Sequence, residues 1–193
     1  MNEKKVDSEM ISLAGEFYVV AQLFQRGFVA TPTLGKTKHV DILVYHPETG
    51  RRVIIEVKTT QEETAKKKSK LFGENYEWIM HEKHENIVDP NLFYCFVLLR
   101  RVNELPRFFI VPSKEVAEYV KEEHKRYLRH REDKAREAMK KKGTNKISYK
   151  GKELTLEEYI KRVDEECKGM RKFRISTKEK SKYEDNWNAL LKT

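Results

Sequence analysis

The segment HVDILVYHPETGRRVIIEVKTTQ, residues His39–Gln61, decides the fold because it predicts two strands joined by a tight turn. Apolar residues dominate Val40–His46 and Arg51–Thr59 on either side of the sequence PETG. A four-residue loop at PETG pairs the last residue of the first run with the first residue of the second. The two predicted strands therefore run antiparallel, and their register is set by the turn.

Three charged side chains fall on one face of this hairpin. Side chains alternate along a strand, so Glu56 and Lys58 share a face, and the register places Asp41 opposite Glu56. Like charges that face each other directly are destabilising, and a divalent cation such as Mg²⁺ would compensate for them. The alternative is that these residues are ordinary polar groups on the solvated face of a hairpin.

The rest of the chain predicts an α/β fold with a mixed central sheet flanked by helices. Residues Ser8–Gly27 predict a first helix, packed on most sides, with one apolar stripe formed by Leu13, Phe17, Val20, Ala21 and Phe24. Strands are predicted at Phe28–Pro32, Asn91–Arg100 and Pro106–Pro112, with a polar loop at Gln61–Asn75 and a short helix at Tyr76–Glu85. Helices follow from Ser113, and Thr155 and Glu158 form a capping box before one of them.

The basic charge is concentrated in the C-terminal part. The chain has 40 Lys and Arg against 31 Asp and Glu, a net charge of +9. Residues 114–193 carry 24 of these basic and 16 of the acidic side chains, which leaves residues 1–113 nearly neutral. We therefore expect a core domain at 1–112, a basic helical extension at 113–193 that packs on it, and a partner that carries phosphates.

The charged residues of the predicted hairpin resemble the motif of the PD-(D/E)xK nuclease superfamily, the restriction-endonuclease-like fold of archaeal Holliday-junction resolvases and many restriction enzymes. Glu56-Val57-Lys58 matches the (D/E)xK half of the motif, and Asp41 matches its first aspartate, although Val40 replaces the usual proline. Glu16, on the predicted first helix, matches a glutamate that reaches the metal site in resolvase-like members. The match covers Ser8–Gln61 by motif and Leu92–Pro112 by element order only.

The resemblance implies a metal-dependent DNA endonuclease, of restriction and defence type or of repair and resolvase type, with a PD-(D/E)xK nuclease core. Asp41, Glu56, the Val57 backbone carbonyl and, as a further ligand, Glu16 would hold Mg²⁺, with Mn²⁺ as a substitute. Lys58 would orient or help to deprotonate the attacking water and offset charge in the transition state. A glutamate at the helix margin that simply reaches solvent is the alternative for Glu16.

Further candidates lie outside the motif. Gln61 follows it and could hydrogen-bond near the site, or it is a strand-end side chain. Phosphate contacts are expected from two groups of basic residues, Lys66, Lys67 and Lys68 in the polar loop and Arg126, Arg129 and Lys134 in the C-terminal helices. A solvated surface is the alternative for both groups.

Two other functions stay open at this point: a non-catalytic DNA-binding subunit on the same fold, and a nuclease that cleaves RNA. The N-terminal residues lack the apolar core of a signal peptide and no run is long enough to span a bilayer, so we expect a cytoplasmic protein without a membrane partner. The two cysteines, Cys95 and Cys167, lack the spacing of a zinc site and are expected to be reduced. A homodimer is left open.

Overall fold

The computed structural model describes residues 6–33 and 40–192, so that His39, the first residue of the quoted segment, lies outside the described residues. Four α-helices are present in this part of the chain, α1 (Ser8–Phe24), α2 (Glu62–Ala65), α3 (Ser113–Lys142) and α4 (Leu156–Glu166). The strands are β1 (Val29–Pro32), β2 (Ile42–Tyr45), β3 (Arg52–Gln61), β4 (Lys66–Ser69), β5 (Gly73–His81), β6 (Leu92–Leu99), β7 (Arg107–Pro112), β8 (Ile147–Tyr149), β9 (Lys152–Leu154) and β10 (Met170–Ser176). Single 3-10 turns span Glu82–Asn86 and Trp187–Leu191.

The central sheet has five strands in the order β1-β2-β3-β6-β7. Strands β3 and β6 are parallel, whereas β1 with β2, β2 with β3 and β6 with β7 are antiparallel. The predicted α/β class with a mixed central sheet is therefore confirmed. The hairpin register is confirmed as well, because Tyr45 pairs with Arg52 and Leu43 with Ile54.

One face of the central sheet packs against α1. Val19 and Leu23 of the helix are fully buried, and they share one apolar cluster with the β3 side chains that point to this face. The C-terminal segment returns to the same cluster, where Trp187 and Leu190 are buried. The first helix and the last turn of the chain thus enclose this side of the sheet.

The other face of the sheet is covered by an aromatic cluster around Trp78 of β5. Its ring lies 5.5 Å from that of Phe96 and 5.7 Å from that of Phe109, both in edge-on geometry. The indole Nε1 donates a hydrogen bond of 3.1 Å to the carbonyl oxygen of Val97. A buried indole with a satisfied N–H anchors the strand that carries it.

The prediction of a short helix at Tyr76–Glu85 is wrong. Tyr76, Trp78 and Met80 are buried while the residues between them are less so, which is the two-residue period of the strand β5. The predicted polar loop before it is also wrong, since it contains α2 and β4, and β4 pairs with β5 in a second sheet ordered β10-β5-β4. Pairing between strands, which is not local in sequence, overrides the weak helical pattern here.

The prediction for the buried face of α1 is wrong in part. Val20 is buried as expected, but Leu13, Phe17 and Phe24 are exposed, and the residues that pack on the sheet are Gly15, Val19, Val20 and Leu23. The helix carries apolar residues on two sides, so its sequence alone does not select the side that faces the sheet.

The C-terminal part divides differently from the predicted boundary at residue 112. Of the described residues, one compact unit contains 6–33, 40–78, 87–116 and 174–192, and the other contains 79–86 and 117–173. The second unit has its own small core, in which Ala135, Tyr159 and Val163 are buried. The capping box is confirmed, because the Thr155 hydroxyl accepts a hydrogen bond from the Glu158 N–H and the Glu158 carboxylate accepts one from the Thr155 N–H.

The basic C-terminal region adds β8, β9 and β10 to the helices that were predicted there. Helix α3 extends without interruption through the charged segment to Lys142. Within residues 6–33 and 40–192, no helix has the length and apolar character needed to cross a membrane.

The close approach of α1 to β3 generates a prediction for Gly15. A Cβ atom at this position would overlap Thr59 Oγ1 and lie 2.8 Å from Thr59 Cγ2. We expect Gly15→Ala to destabilise the protein by about 1–3 kcal/mol through overpacking, although alanine favours a helix by roughly 1 kcal/mol over glycine. Urea unfolding followed by tryptophan fluorescence measures this difference.

The matched control is the double variant Gly15→Ala/Thr59→Ala, which removes the two nearest atoms. We expect it to be less destabilised than the sum of the two single variants, because the added methyl group then has one close neighbour, the Cβ atom of residue 59, instead of three. A Gly15→Ala protein as stable as the wild type would contradict the close contact.

Candidate active site

Asp41 lies directly before β2, where the β2–β3 hairpin opens. Its N–H donates to the carbonyl oxygen of Ile55 at 3.0 Å, which ties the residue before β2 to the backbone of β3. Its Oδ2 atom accepts a hydrogen bond of 2.7 Å from the N–H of Val57. The Asp41 carboxylate is thus hydrogen-bonded to the backbone of Val57, which lies between Glu56 and Lys58.

Glu56 and Lys58 form an ion pair on the same face of β3. The Lys58 Nζ atom lies 2.6 Å from Glu56 Oε1. Glu56 is 5% exposed, and carboxylates are almost never buried to this degree unless they are paired. In the folded chain, Lys58 therefore compensates the charge of the Glu56 carboxylate.

Tyr94 is a neighbour of Glu56 that the sequence analysis missed. The two residues are register partners in the parallel pairing of β3 with β6, so they share a face of the sheet. Burial and the Glu56 carboxylate raise the pKa of Tyr94 well above its ordinary value, so the phenol keeps its proton. No pattern in the sequence could have identified Tyr94 as this neighbour, because the register between the parallel strands β3 and β6 depends on the folded structure.

Glu16 is half-buried on α1, at the margin of the helix face that packs on the sheet. Burial and, to a smaller extent, the Asp41 carboxylate raise the pKa of Glu16 above its ordinary value. Two carboxylates thus disfavour each other's ionisation at the open end of the hairpin. A divalent cation relieves this kind of repulsion.

The donors in this region suit a hard cation. Carboxylate and backbone carbonyl oxygens are the ligands that Mg²⁺ prefers, and Mg²⁺ commonly uses only one or two carboxylates together with water and phosphate oxygens. Among residues 6–33 and 40–192, no three or more His, Cys, Asp or Glu side chains form a group that could hold a metal ion. The expected gathering of Glu16, Asp41 and Glu56 into a three-carboxylate site is therefore not seen.

The remaining predicted site residues occupy separate elements. Gln61 is the last residue of β3 and is half-buried. Lys66, Lys67 and Lys68 are exposed on β4, and Lys66 pairs with Glu74 at 2.9 Å. Arg126, Arg129 and Lys134 are exposed on α3, in the second unit. Their exposure leaves these basic side chains accessible to an anionic partner.

Two buried histidines, His46 and His84, make contacts within the folded chain. His84 is buried, and its Nδ1 atom lies 2.9 Å from both the N–H and the carbonyl oxygen of His81. His46 ends the first hairpin strand and contacts the turn, with Nδ1 3.1 Å from Thr49 Oγ1. Both cysteines are free thiols, and Cys95 is buried in the core.

No protein-family model and no curated protein matches the chain. Among solved structures, the chain is similar to a bacterial homing endonuclease, I-Ssp6803I, with a TM-score of 0.48 and 14% sequence identity. That similarity covers 97% of this chain and 93% of the endonuclease chain.

The buried ion pair predicts an unequal effect of two lysine substitutions. Lys58→Met leaves the Glu56 carboxylate buried without its ammonium. Loss of one partner of a buried pair costs about 3–5 kcal/mol, and we expect a value near or below the lower bound because Lys58 is 28% exposed. Urea unfolding in the presence of a chelator gives the free energy of unfolding for each protein.

Two further variants control this measurement. Lys66→Met removes the ammonium from the more exposed pair with Glu74 and should destabilise the protein much less than Lys58→Met, because water and salt screen an exposed pair. Lys58→Met/Glu56→Gln removes both charges and should recover part of the loss. Equal destabilisation by Lys58→Met and Lys66→Met would show that the Glu56–Lys58 pair is no more critical than a surface pair.

Proposed function

We propose that this chain is a metal-dependent DNA endonuclease of the PD-(D/E)xK superfamily, which hydrolyses phosphodiester bonds. One observation carries the proposal. The hydrogen bond from the Val57 N–H to the Asp41 carboxylate joins the first motif aspartate to the backbone between Glu56 and Lys58. Residues that are sixteen positions apart in sequence therefore meet, and a hairpin without a role in chemistry has no need to place two carboxylates and a lysine together.

In this proposal Asp41, Glu56 and the Val57 carbonyl oxygen would hold Mg²⁺, and Glu16 on α1 would be a further ligand. The bound ion would neutralise charge on the phosphate and acidify a bound water. The raised pKa of Glu16 beside Asp41 supports this assignment, because cation binding favours the ionised form of both carboxylates. A bound cation would remove the repulsion between the Glu16 and Asp41 carboxylates.

Lys58 is the second functional group of the proposed site. Its ammonium pairs with Glu56 in the folded chain, and a cation bound at Glu56 would take over the neutralisation of that carboxylate. Lys58 would then be available to orient the attacking water and to offset the negative charge that develops on the scissile phosphate. In this proposal, the pair with Glu56 is the arrangement that Lys58 adopts before metal and substrate bind.

Tyr94 acts in this scheme as a positioning residue. Its side chain is fully buried beside Glu56 and keeps its proton, so it places no second charge next to the carboxylate. A bulky side chain that fills this space limits the conformations open to Glu56. Precise placement of metal-binding carboxylates depends on such neighbours.

DNA would be held by the exposed basic residues outside the site. The lysines at 66–68 lie on β4 in the first unit, which also contains the candidate site. The basic residues Arg126, Arg129 and Lys134 lie on α3 in the second unit, and both groups offer side chains for phosphate contacts.

Cleavage assays test the proposal directly. With Mg²⁺ or Mn²⁺ the wild-type protein should cut DNA, and cutting should stop when the ion is chelated. Lys58→Met should lower the cleavage rate by at least about 10²-fold, since a group that stabilises developing charge is lost, while DNA binding persists. Supercoiled plasmid, branched DNA and RNA are the substrates, so the same experiment separates restriction-type, resolvase-type and RNA-cleaving activity.

Lys192→Met is the matched control, because it removes the same charge from an exposed lysine near the end of the described chain. It should cut at the wild-type rate. Cutting by Lys58→Met at the rate of this control would refute the assigned mechanism. DNA binding without cleavage of any substrate would identify a non-catalytic DNA-binding subunit instead.

Metal binding has a separate prediction that does not depend on activity. Wild type should gain stability from Mg²⁺ by RT ln(1 + [L]/Kd), about 2.7 kcal/mol at a hundredfold excess over Kd. Asp41→Asn should be as stable as wild type without metal, because the asparagine oxygen can still accept the Val57 N–H and one of two repelling charges is gone. The variant should lose most of the Mg²⁺ response in thermal melts.

The same melts with chelator provide the reference for each protein. If Asp41 serves only as a structural acceptor, the substitution should destabilise the metal-free protein and leave any Mg²⁺ response unchanged. That combination would exclude Asp41 as a metal ligand.

A further inference from the structure

Helix α1 has a second apolar face that points to solvent. Met10 is 61% exposed, Leu13 40%, Phe17 63% and Phe24 55%, and Tyr18 on the flank is exposed as well. A helix of a globular domain normally shows polar residues on the side opposite its core. Instead, the outer face of α1, defined here as Met10, Leu13, Phe17 and Phe24, carries large apolar side chains.

The spacing of the outer face indicates what shape would cover it. Met10, Leu13 and Phe17 are separated by three and then four residues, and Phe24 lies seven residues beyond Phe17. This alternation of three and four is the repeat that lets side chains of one helix pack between those of another. Ala14 and Ala21, which lie between the large residues on the same side, leave space for a second helix to approach.

The size of the outer face fits the centre of a protein interface. Aromatic side chains bury about 150–250 Å² each when they are covered, so four large residues that are about half exposed present an apolar patch of several hundred Å². The largest apolar patch on a typical monomer is of this order, and it is often functional. A standard interface buries roughly 800 Å² per partner, and the polar residues that flank α1 would supply its rim.

The outer face is self-complementary about a two-fold axis. Met10 and Phe24 each lie seven residues from Phe17, so a two-fold axis at Phe17 places Met10 of one chain against Phe24 of the other. Leu13 and Ala21 each lie four residues from Phe17, so the same axis places the large Leu13 side chain of one chain opposite the small Ala21 side chain of the other.

We propose that the outer face of α1 is the contact surface between two copies of this chain, packed antiparallel around Phe17. The surface lies wholly on α1, away from the side chains that pack on the sheet. Its occupation therefore needs no rearrangement of the core. The proposed dimer contact does not depend on the proposed nuclease activity. An experiment that refutes one of these proposals therefore leaves the other unaffected.

Light scattering coupled to size exclusion tests the proposal with the full chain. Wild type should have twice the chain mass of 23.0 kDa, and Phe17→Glu should have the monomer mass at the same concentration, because two carboxylates would meet at the axis. Val102→Glu is the matched control, since Val102 is 96% exposed and lies in the turn between β6 and β7. It should remain dimeric.

A monomeric wild type at tens of micromolar protein, as in ordinary interface measurements, would overturn the proposal, and so would a dimeric Phe17→Glu protein. Circular dichroism spectra and melting curves of the variants show that each one is folded. Because Phe17 is exposed, its replacement leaves the core untouched.

Cross-linking tests the position of the axis. In a Cys167→Ser background, with Cys95 buried, Phe17→Cys should form a disulfide between two copies when an oxidant such as diamide is added. Ser12→Cys, exposed on α1 but outside the outer face, should not. A dimer in which Ser12→Cys cross-links and Phe17→Cys does not would overturn the antiparallel arrangement around Phe17.

Discussion

The antiparallel pairing of β2 with β3 is the constraint on which the candidate site depends. The turn after His46 sets the register, and the register places Asp41 at the height of Glu56 and Val57. A slip of one residue would send Asp41 to the other face of the sheet and break its hydrogen bond with the Val57 N–H. Because β3 is the third of five strands and pairs on its other side with β6, the register is fixed from both sides.

The same pairing brings together charges that do not favour the folded state by themselves. Glu56 is buried and needs Lys58, and Glu16 and Asp41 oppose each other's ionisation. A buried ion pair contributes little net stability, since the loss of hydration offsets the attraction, whereas loss of one partner is costly. A chain selected for stability alone would do as well with apolar residues in these places, so the cost is best explained by a ligand or a reaction that uses the charges.

Helix α1 connects this site with the proposed contact surface. Gly15 allows the helix to approach Thr59 of β3 closely, which fixes the position of Glu16 at the margin of the packed face. The opposite side of the same helix carries Phe17 and its neighbours toward solvent. One helix thus has three roles set by its rotation about its axis: core packing on one side, a carboxylate at the edge, and an apolar surface on the other side.

The sequence by itself determined the features that depend on local periodicity and on turns. The hairpin register, the buried strand that became β6 and the capping box of Thr155 with Glu158 all rest on residues close together in the chain, and all were predicted correctly. Tertiary structure alone decided which face of α1 is buried, that Tyr76–His81 joins a sheet as part of β5, and that Tyr94 lies beside Glu56. These outcomes depend on contacts between distant segments, because burial of one apolar face over another and the register between parallel strands are settled by packing across the whole domain.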